Sequence, residues 1–169
     1  MKYKFSDLIS RRERTKEVNF EFDMAPFHFE GEKMEPLSKV VVNGNIVSKN
    51  DEVLVDLHVQ TKLKLVCSRC LETFIYPIDI DIEERFTNSE ERREDEDVLF
   101  VIGDELDIAE IVESEIISTL PIKRLCTNNC KGLCQTCGKN LNKESCTCDN
   151  DNIDVRLAGL KALLENKEV

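Results

Sequence analysis

The sequence predicts an α+β fold: an antiparallel β-meander or hairpin sheet with two helices and a cysteine-rich C-terminal segment. Three observations support this class. Two long runs carry apolar residues at alternate positions, a later run carries them at helical spacing, and cysteines concentrate towards the C-terminus. The chain has 169 residues, of which 41% are hydrophobic, so it can bury a core in one or two small domains.

The first third of the chain contains one strand pattern and one loop pattern. EVNFEF at 17–22 alternates charged and apolar residues, which predicts a short strand. MAPFHFEGEKMEP at 24–36 is interrupted by prolines and a glycine, and it predicts a loop. The strong β pattern begins at residue 39.

A β-branched run at 39–47, KVVVNGNIV, predicts the next strand. Its Asn43-Gly44 dipeptide is a hairpin dipeptide in form, but apolar residues flank it closely. It is therefore as consistent with a bulge or bend as with a turn. Ser48–Asp51 is the better turn candidate, because four polar residues end the run there.

Two long alternating runs follow this turn. Apolar side chains recur at alternate positions from Val53 to Leu65 and again from Phe74 to Ile82. Each run predicts a strand with one buried face. Because only a short link separates the runs, they are expected to form a hairpin with Cys67 and Cys70 at its tip.

Beyond the hairpin, the sequence predicts a loop, a strand and a helix. TNSEERREDED at 87–97 contains no apolar side chain and predicts a solvated loop, whereas VLFVI at 98–102 is consistent with a further strand. Asp107 with Glu110 three residues later predicts a capped helix start. Pro121 is expected to end this helix.

The composition changes near residue 121 and suggests two parts. Residues 1–120 form a β-rich body with a closing helix, and residues 121–169 form a cysteine-rich module with a second helix from Asp154 to Glu165. We expect the two parts to form one compact unit. No apolar run is long enough for a signal peptide or a membrane span, so a cytoplasmic protein is expected.

Cysteine is the residue that best indicates chemistry. There are eight, five of them between 130 and 148, and disulfides are rare in the cytoplasm. Cys134-Gln-Thr-Cys137-Gly138 is a knuckle whose two thiolates can reach one ion, and its glycine lets backbone N–H groups turn towards the sulfurs. With few large apolar side chains nearby to order the segment, structural Zn²⁺ is the predicted cofactor.

The ligand set remains open on spacing alone. Either the upstream or the downstream cysteine pair can complete a tetrahedral site with the knuckle, and all six thiolates can hold two ions. The predicted metal ligands are Cys126, Cys130, Cys134, Cys137, Cys146 and Cys148. Cys67 and Cys70 form a possible second thiol pair, which either meets spare cysteines of this segment or holds the hairpin tip as free thiols.

The pattern predicts a protein that is not an enzyme. The glycines are scattered and form no phosphate-binding loop, and His28 and His58 have no neighbouring nucleophile or carboxylate pattern. A redox C-x-x-C would open a helix in a βαβ unit, which no pattern here predicts. We therefore expect no small-molecule substrate; the alternative function is a zinc- or redox-responsive regulatory or binding protein.

The charge pattern separates an acidic body from a basic segment. The net charge of −11 opposes nonspecific attachment to nucleic acid. Between 121 and 148, however, five basic residues face one acidic residue. These candidates for RNA contact are Lys123, Arg124, Lys131, Lys139 and Lys143. The segment has no aromatic residue on which bases could stack.

Several strings carry a resemblance to a known family: CSRC at 67–70, the helix ending in Leu120-Pro121, CTNNCKGLCQTCGKNLN at 126–142, CTC at 146–148 and DVRLAGL at 154–160. They resemble the YceD-like family, described as large ribosomal RNA subunit accumulation proteins, in its zinc-cluster-containing bacterial branch. The resemblance covers most of residues 60–165. One departure is Val155, at a helix start where relatives often carry proline.

The resemblance implies a bacterial cytoplasmic ribosome biogenesis factor that supports accumulation or processing of large-subunit (23S) ribosomal RNA without catalytic activity. Its partner is expected to be ribosomal RNA or a large-subunit precursor, reached directly or through a basic ribosomal protein or a processing enzyme. Some family members keep the hairpin cysteines but lack the C-terminal cluster. This implies that the cluster stabilises the tail, and that Cys67 and Cys70 can act without the other six cysteines.

Overall fold

A computed structural model describes residues 1–9, 14–49, 52–95 and 97–148. The chain divides into two compact units. The first unit contains Met1–Val66 and Thr73–Arg124, and the second contains Cys67–Glu72 and the described residues from Leu125 onward. The helix predicted for 154–165 and the DVRLAGL string lie outside the described residues.

The first unit holds the regular elements that follow, and the predicted α+β class with an antiparallel sheet is confirmed. In chain order these elements are β1 (Lys2–Lys4), α1 (Phe5–Ile9), β2 (Arg14–Phe22), β3 (Phe27–Phe29), β4 (Glu32–Pro36), β5 (Val40–Lys49), β6 (Glu52–Val66), β7 (Thr73–Thr87), a short 3-10 helix (Glu90–Arg92), β8 (Leu99–Phe100), β9 (Glu105–Asp107) and α2 (Ile108–Ser118).

The main sheet is organised around the long strand β6. β7 pairs with it antiparallel along its whole length, from Glu52↔Thr87 to Val66↔Thr73, so the predicted hairpin is confirmed. β5 pairs with the first part of β6 on the other side, and β2 pairs with β5. β5 ends at Lys49 and β6 begins at Glu52, where the polar run predicted a turn.

One face of this sheet is buried under apolar side chains from both helices. The alternating apolar residues of β6, among them Leu57 and Leu63, are at most 1% exposed. Phe5 of α1 and Ile108 and Ile116 of α2 are fully buried in the same core. The apolar alternation and the helical spacing in the sequence are therefore both explained by burial of a single apolar core.

The segment 24–36 corrects a sequence prediction. A loop was expected, but β3 and β4 form an antiparallel hairpin, and β4 also pairs with β6 at Glu35↔Lys64. Its two central residues, Glu30 and Gly31, have φ of 50° and 81°. Positive φ at both positions is the geometry of the type I′ turn, which glycine makes easy and which prolines outside the turn do not prevent.

The charged segment 87–97 is partly ordered by ion pairs. Arg92 in the 3-10 helix pairs with Glu52 and, at 2.8 Å, with Asp95. The strand predicted for 98–102 is reduced to β8, which lies parallel to the end of β7 at Phe86 and Thr87. Leu99 within this short pairing and Ile102 beyond it are exposed, although Val98 is buried. Part of the apolar run therefore lies outside the core.

The capped helix predicted after residue 106 is confirmed. The Asp107 side chain accepts a hydrogen bond from the backbone N–H of Ala109 at 3.1 Å, which satisfies one of the free amides of the first turn. α2 ends at Ser118, shortly before Pro121. Among the described residues, no helix has the length and apolar character needed to cross a membrane.

Candidate metal centre

The second unit gathers all eight cysteines into two groups of four. In each group, the four Sγ atoms lie within 4.8 Å of one another. Cluster 1 contains Cys67, Cys70, Cys126 and Cys130. Cluster 2 contains Cys134, Cys137, Cys146 and Cys148. The structure thus places the hairpin pair with the first C-terminal pair, and it places the knuckle with the downstream pair.

The sulfur separations fit tetrahedral metal coordination. In cluster 1, Cys67 and Cys130 are 3.8 Å apart; in cluster 2, Cys134 and Cys146 are 3.4 Å apart. Four thiolates at about 2.3 Å from one Zn²⁺ would be separated by about 3.8 Å along each tetrahedral edge. A disulfide would need about 2 Å, and none of the eight cysteines, all of which lie within the described residues, forms one. Each cluster can therefore accept one ion with little rearrangement.

Backbone amides stabilise one thiolate in cluster 1. Burial raises the pKa of the Cys67 thiol, but three backbone N–H groups donate to its sulfur and lower the pKa to about 6. These donors belong to Arg69, Cys70 and Cys126. The tight loop after β6 thus turns its amides inwards, as expected of a metal-binding knuckle.

Cluster 2 repeats this arrangement at its own knuckle. The backbone N–H groups of Cys137 and Thr136 donate to the sulfur of Cys134 and lower its pKa to about 6. Gly138, with φ of 74°, lets its own N–H turn back to the Cys134 carbonyl at 2.9 Å. The Cys-Gly pair singled out in the sequence therefore has the conformation for which glycine was expected.

The thiols of Cys70 and Cys148 lose their protons less readily. The Glu72 N–H lowers the pKa of Cys70, but burial and three neighbouring thiols raise it to about 12. Hydrogen bonding with the Cys137 thiol, followed by burial, raises the pKa of Cys148 to about 12. Four close thiolates repel one another, so a bound cation is needed to stabilise all four in the deprotonated form.

The hairpin tip and the segment that follows Cys130 meet at cluster 1 through hydrogen bonds to backbone carbonyls. The Arg69 guanidinium donates to the Cys130 carbonyl at 2.8 Å, and the Leu133 N–H donates to the Arg69 carbonyl at 3.2 Å. Gly132 has φ of 76°, and a Cβ there would lie 3.1 Å from the Arg69 carbonyl oxygen. These contacts hold the hairpin tip against the segment that follows Cys130.

Sequence reasoning missed the contribution of Asn142. Its Nδ2 donates to Cys130 Sγ at 3.2 Å, and its Oδ1 accepts from the Lys131 backbone N–H at 2.7 Å. The only sequence signal was its place in the specific string that ends Lys139-Asn-Leu-Asn, which assigns no chemistry to it. Asn142 therefore orients the Cys130 sulfur of cluster 1 and fixes the backbone that follows it.

The two clusters differ in exposure. Cys67, Cys70 and Cys130 of cluster 1 are buried, whereas Cys137 of cluster 2 is exposed. In the described part of the second unit, the buried hydrophobic residues are all cysteines. Leu133 is only half-buried. This unit therefore has no aliphatic core of its own among those residues.

The predicted RNA-contacting residues fall into two groups. Lys123, Lys131, Lys139 and Lys143 are exposed. Within the second unit, Lys143 pairs with Glu72, and Lys139 lies 3.8 Å from Glu144. The charges of Lys139 and Lys143 are thus partly compensated by nearby carboxylates.

Arg124, by contrast, is a buried residue of the first unit, and only 5% of it is exposed. Its guanidinium lies 3.1 Å from a Glu30 carboxylate oxygen and 3.5 Å from one of Glu32. It also lies 5.9 Å from the centroid of the Phe29 ring. Arg124 therefore ties the end of the first unit to the β3–β4 hairpin, and it is the least accessible of the five predicted contacts.

The fold and the site define a cysteine-cluster protein. In cluster 1, the loop of an antiparallel hairpin and a later segment each contribute two cysteines, and cluster 2 lies further along the same segment. Residues 55–164 match the model of one family, described as large ribosomal RNA subunit accumulation protein YceD. The chain belongs to this family. No solved structure gives a significant match.

Curated relatives come from bacteria and from plants. YlbN of Bacillus subtilis strain 168 is 32% identical over 134 residues, which cover 78% of each chain. The large ribosomal RNA subunit accumulation protein YCED homolog 1, chloroplastic, of Arabidopsis thaliana is 28% identical over 162 residues. That match covers 76% of this chain and 50% of the Arabidopsis protein. The homologue of the same name from Zea mays is 44% identical over 50 residues, or 29% of this chain and 17% of that protein.

Proposed function

We propose that this protein is a non-enzymatic cytoplasmic factor that supports accumulation of large-subunit (23S) ribosomal RNA. We further propose that two structural Zn²⁺ ions give its second unit its shape. The observation that carries this proposal is the family match over 55–164, because that range contains the hairpin tip and both clusters. The family description supplies the ribosomal role, and the clusters supply the metal chemistry.

The choice of zinc rests on the donor set. Four cysteine sulfurs in tetrahedral arrangement suit zinc or iron, whereas calcium, magnesium and manganese prefer oxygen ligands. Structural zinc sites are closed by four protein ligands, and catalytic ones keep a position open for water. Each cluster offers four sulfurs within reach of one ion, which supports a structural role and a protein without catalytic activity.

Charge supports a protein partner over direct contact with RNA. The described residues of the second unit carry four basic and two acidic side chains. Each closed four-thiolate zinc site adds about −2, so this unit becomes net negative once both ions bind. The exposed lysines remain candidate phosphate contacts, but the loaded unit lacks the positive field that draws RNA. The expected partner is a basic protein of the large-subunit assembly pathway.

The proposal is tested by deleting the gene in its host and measuring the ratio of 23S to 16S ribosomal RNA. Deletion is expected to lower the ratio, and the wild-type gene is expected to restore it. The double variant Cys67→Ser/Cys70→Ser should fail to restore it, because cluster 1 loses half its ligands. Ser68→Ala, in the same loop, is the matched control and should restore it fully.

An unchanged ratio after deletion would contradict the ribosomal role. The greater exposure of cluster 2 favours the alternative, a zinc- or redox-responsive regulator. That alternative predicts that the deletion strain has a normal ratio of 23S to 16S ribosomal RNA in standard medium. A growth defect is then expected only under zinc limitation or in the presence of an oxidant.

A further inference from the structure

The first unit carries an open groove of about 450 Å³ between the end of β7, the β8 segment and α2. Phe86 and Leu106 are buried in its floor, and Ile111 is half-buried on the helix side. At the edge, Leu99 is 51% exposed and Ile102 is 87% exposed. Such a concave apolar surface with exposed aliphatic edges is typical of a protein-binding site.

The charged side chains that line the groove are all acidic. They are Glu84, Glu105, Asp107, Glu110 and Glu115. Of the described residues that line it, none is lysine, arginine or histidine. The groove therefore combines an apolar floor with negative charge on one surface.

Two of these carboxylates are already paired. Lys2 lies 3.0 Å from Glu105, and the Met1 amino group lies 2.8 Å from Asp107, which also caps α2. Among the described residues, by contrast, Glu84, Glu110 and Glu115 form no ion pair. Three carboxylates thus remain available to a cationic partner.

We propose that this groove binds a basic segment of a partner protein. The segment places large apolar side chains against Leu99 and Ile102, while its lysine or arginine side chains pair with Glu84, Glu110 and Glu115. Apolar burial supplies affinity, and the charges supply orientation and faster association. RNA is disfavoured on this surface, because the lining carries five carboxylates and no lysine, arginine or histidine. This inference rests on the proposed function, in which the partner is a basic protein.

The test uses the full-length protein and three labelled peptides of equal length. The probe is a helical peptide of leucine and lysine. The first control peptide has glutamate in place of lysine, and the second has serine in place of leucine. The variants are Ile102→Ala and Glu110→Gln; the matched controls are Ile122→Ala, an isoleucine that is 78% exposed and lies outside the groove, and Glu17→Gln on β2. All four positions are exposed, so folding should be unaffected.

The expected result is that the leucine–lysine peptide binds the wild type and both control variants equally, as measured by fluorescence anisotropy. Ile102→Ala and Glu110→Gln should each weaken binding about fivefold or more. Both control peptides should bind more weakly than the probe. The proposal is overturned if Ile102→Ala binds like the wild type, if the serine–lysine peptide binds as tightly as the probe, or if a short RNA binds and is released by the same two substitutions.

A second readout separates this proposal from the ribosomal role. If deletion of the gene leaves the ratio of 23S to 16S ribosomal RNA unchanged, the ribosomal role is contradicted. The peptide measurements alone then decide whether the groove binds a basic segment. If deletion lowers 23S RNA and the Ile102→Ala/Glu110→Gln double variant still restores it, the groove proposal is overturned while the ribosomal role stands.

Discussion

The amide of Asn142 acts on cluster 1 through one of its cysteines, Cys130. A hydrogen bond to a metal-bound thiolate withdraws charge from the sulfur and fixes its direction, and the Asn142 Nδ2 is 3.2 Å from the Cys130 sulfur. The same side chain accepts the Lys131 N–H, so it also fixes the backbone that follows Cys130. Asn142 can therefore influence both the charge and the geometry of the site without being a ligand.

Replacing Asn142 by alanine should weaken zinc binding at cluster 1 about tenfold, the usual effect of losing an outer-shell partner. The measurement is competition with a coloured chelator, followed by native mass spectrometry to count the ions that remain. Asn129→Ala is the matched control, because Asn129 is an exposed asparagine next to the same ligand. Equal affinities for the two variants would show that the Asn142 hydrogen bond does not support the metal.

At the scale of elements, Gly44 allows β5 and β6 to approach closely in the middle of the sheet. A Cβ at this position would lie 2.1 Å from the Asp56 carbonyl oxygen and 2.8 Å from the Leu57 Cα. No side chain can fit at that separation. The Asn43-Gly44 dipeptide is therefore not a hairpin turn but part of the continuous strand β5. Its glycine allows the backbones of β5 and β6 to come into contact.

Gly44→Ala should lower the free energy of unfolding of the first unit by about 2–3 kcal/mol, because one strand must shift to accept the methyl group. Urea denaturation followed by circular dichroism measures this change. Asn45→Ala, at the exposed neighbouring position of the same strand, should change stability by less than about 0.5 kcal/mol. If the two substitutions have equal effects, the close approach is not a determinant of stability.

At the scale of the whole molecule, different forces stabilise the two units. The first unit buries aliphatic and aromatic side chains, with Phe5, Met34 and Leu63 fully inaccessible. The described part of the second unit buries only cysteines among its hydrophobic residues. Hydrophobic burial therefore stabilises the first unit, whereas we expect the proposed metal–thiolate bonds to give the second unit its stable shape.

Removing the metal should therefore affect the second unit selectively. We expect the purified protein to contain two zinc ions per chain, one for each cluster. A strong chelator should then make residues 125–148 sensitive to protease, while the β-strand circular dichroism signal of the first unit persists. Cys137→Ser/Cys148→Ser should retain one ion, and Ser145→Ala, an exposed serine in the same segment, should retain both. A metal-free chain that stays protease-resistant would contradict this account.

Much of the first unit could be predicted because its signals are local. Alternation from Val53 to Leu65 indicates a strand with one buried face wherever its partners lie, and the Asp107 cap depends only on the next few residues. The β3–β4 hairpin was missed because Pro26 and Pro36 masked a turn whose geometry depends on Glu30 and Gly31. Propensity there was overridden by pairing of β4 with β6.

The sequence by itself predicted that cysteine is the residue that best indicates chemistry in this chain, and it placed one cysteine pair at the tip of a predicted hairpin. It also predicted a protein that is not an enzyme, which stays a prediction. Only the tertiary structure decided which thiols share a site: it joins Cys67 and Cys70 to Cys126 and Cys130. It also showed that Arg124 is buried and forms an ion pair with Glu30. The number of residues between two cysteines indicates whether they can meet within one turn or loop. Cysteines more than fifty residues apart meet only where the fold brings their backbones together.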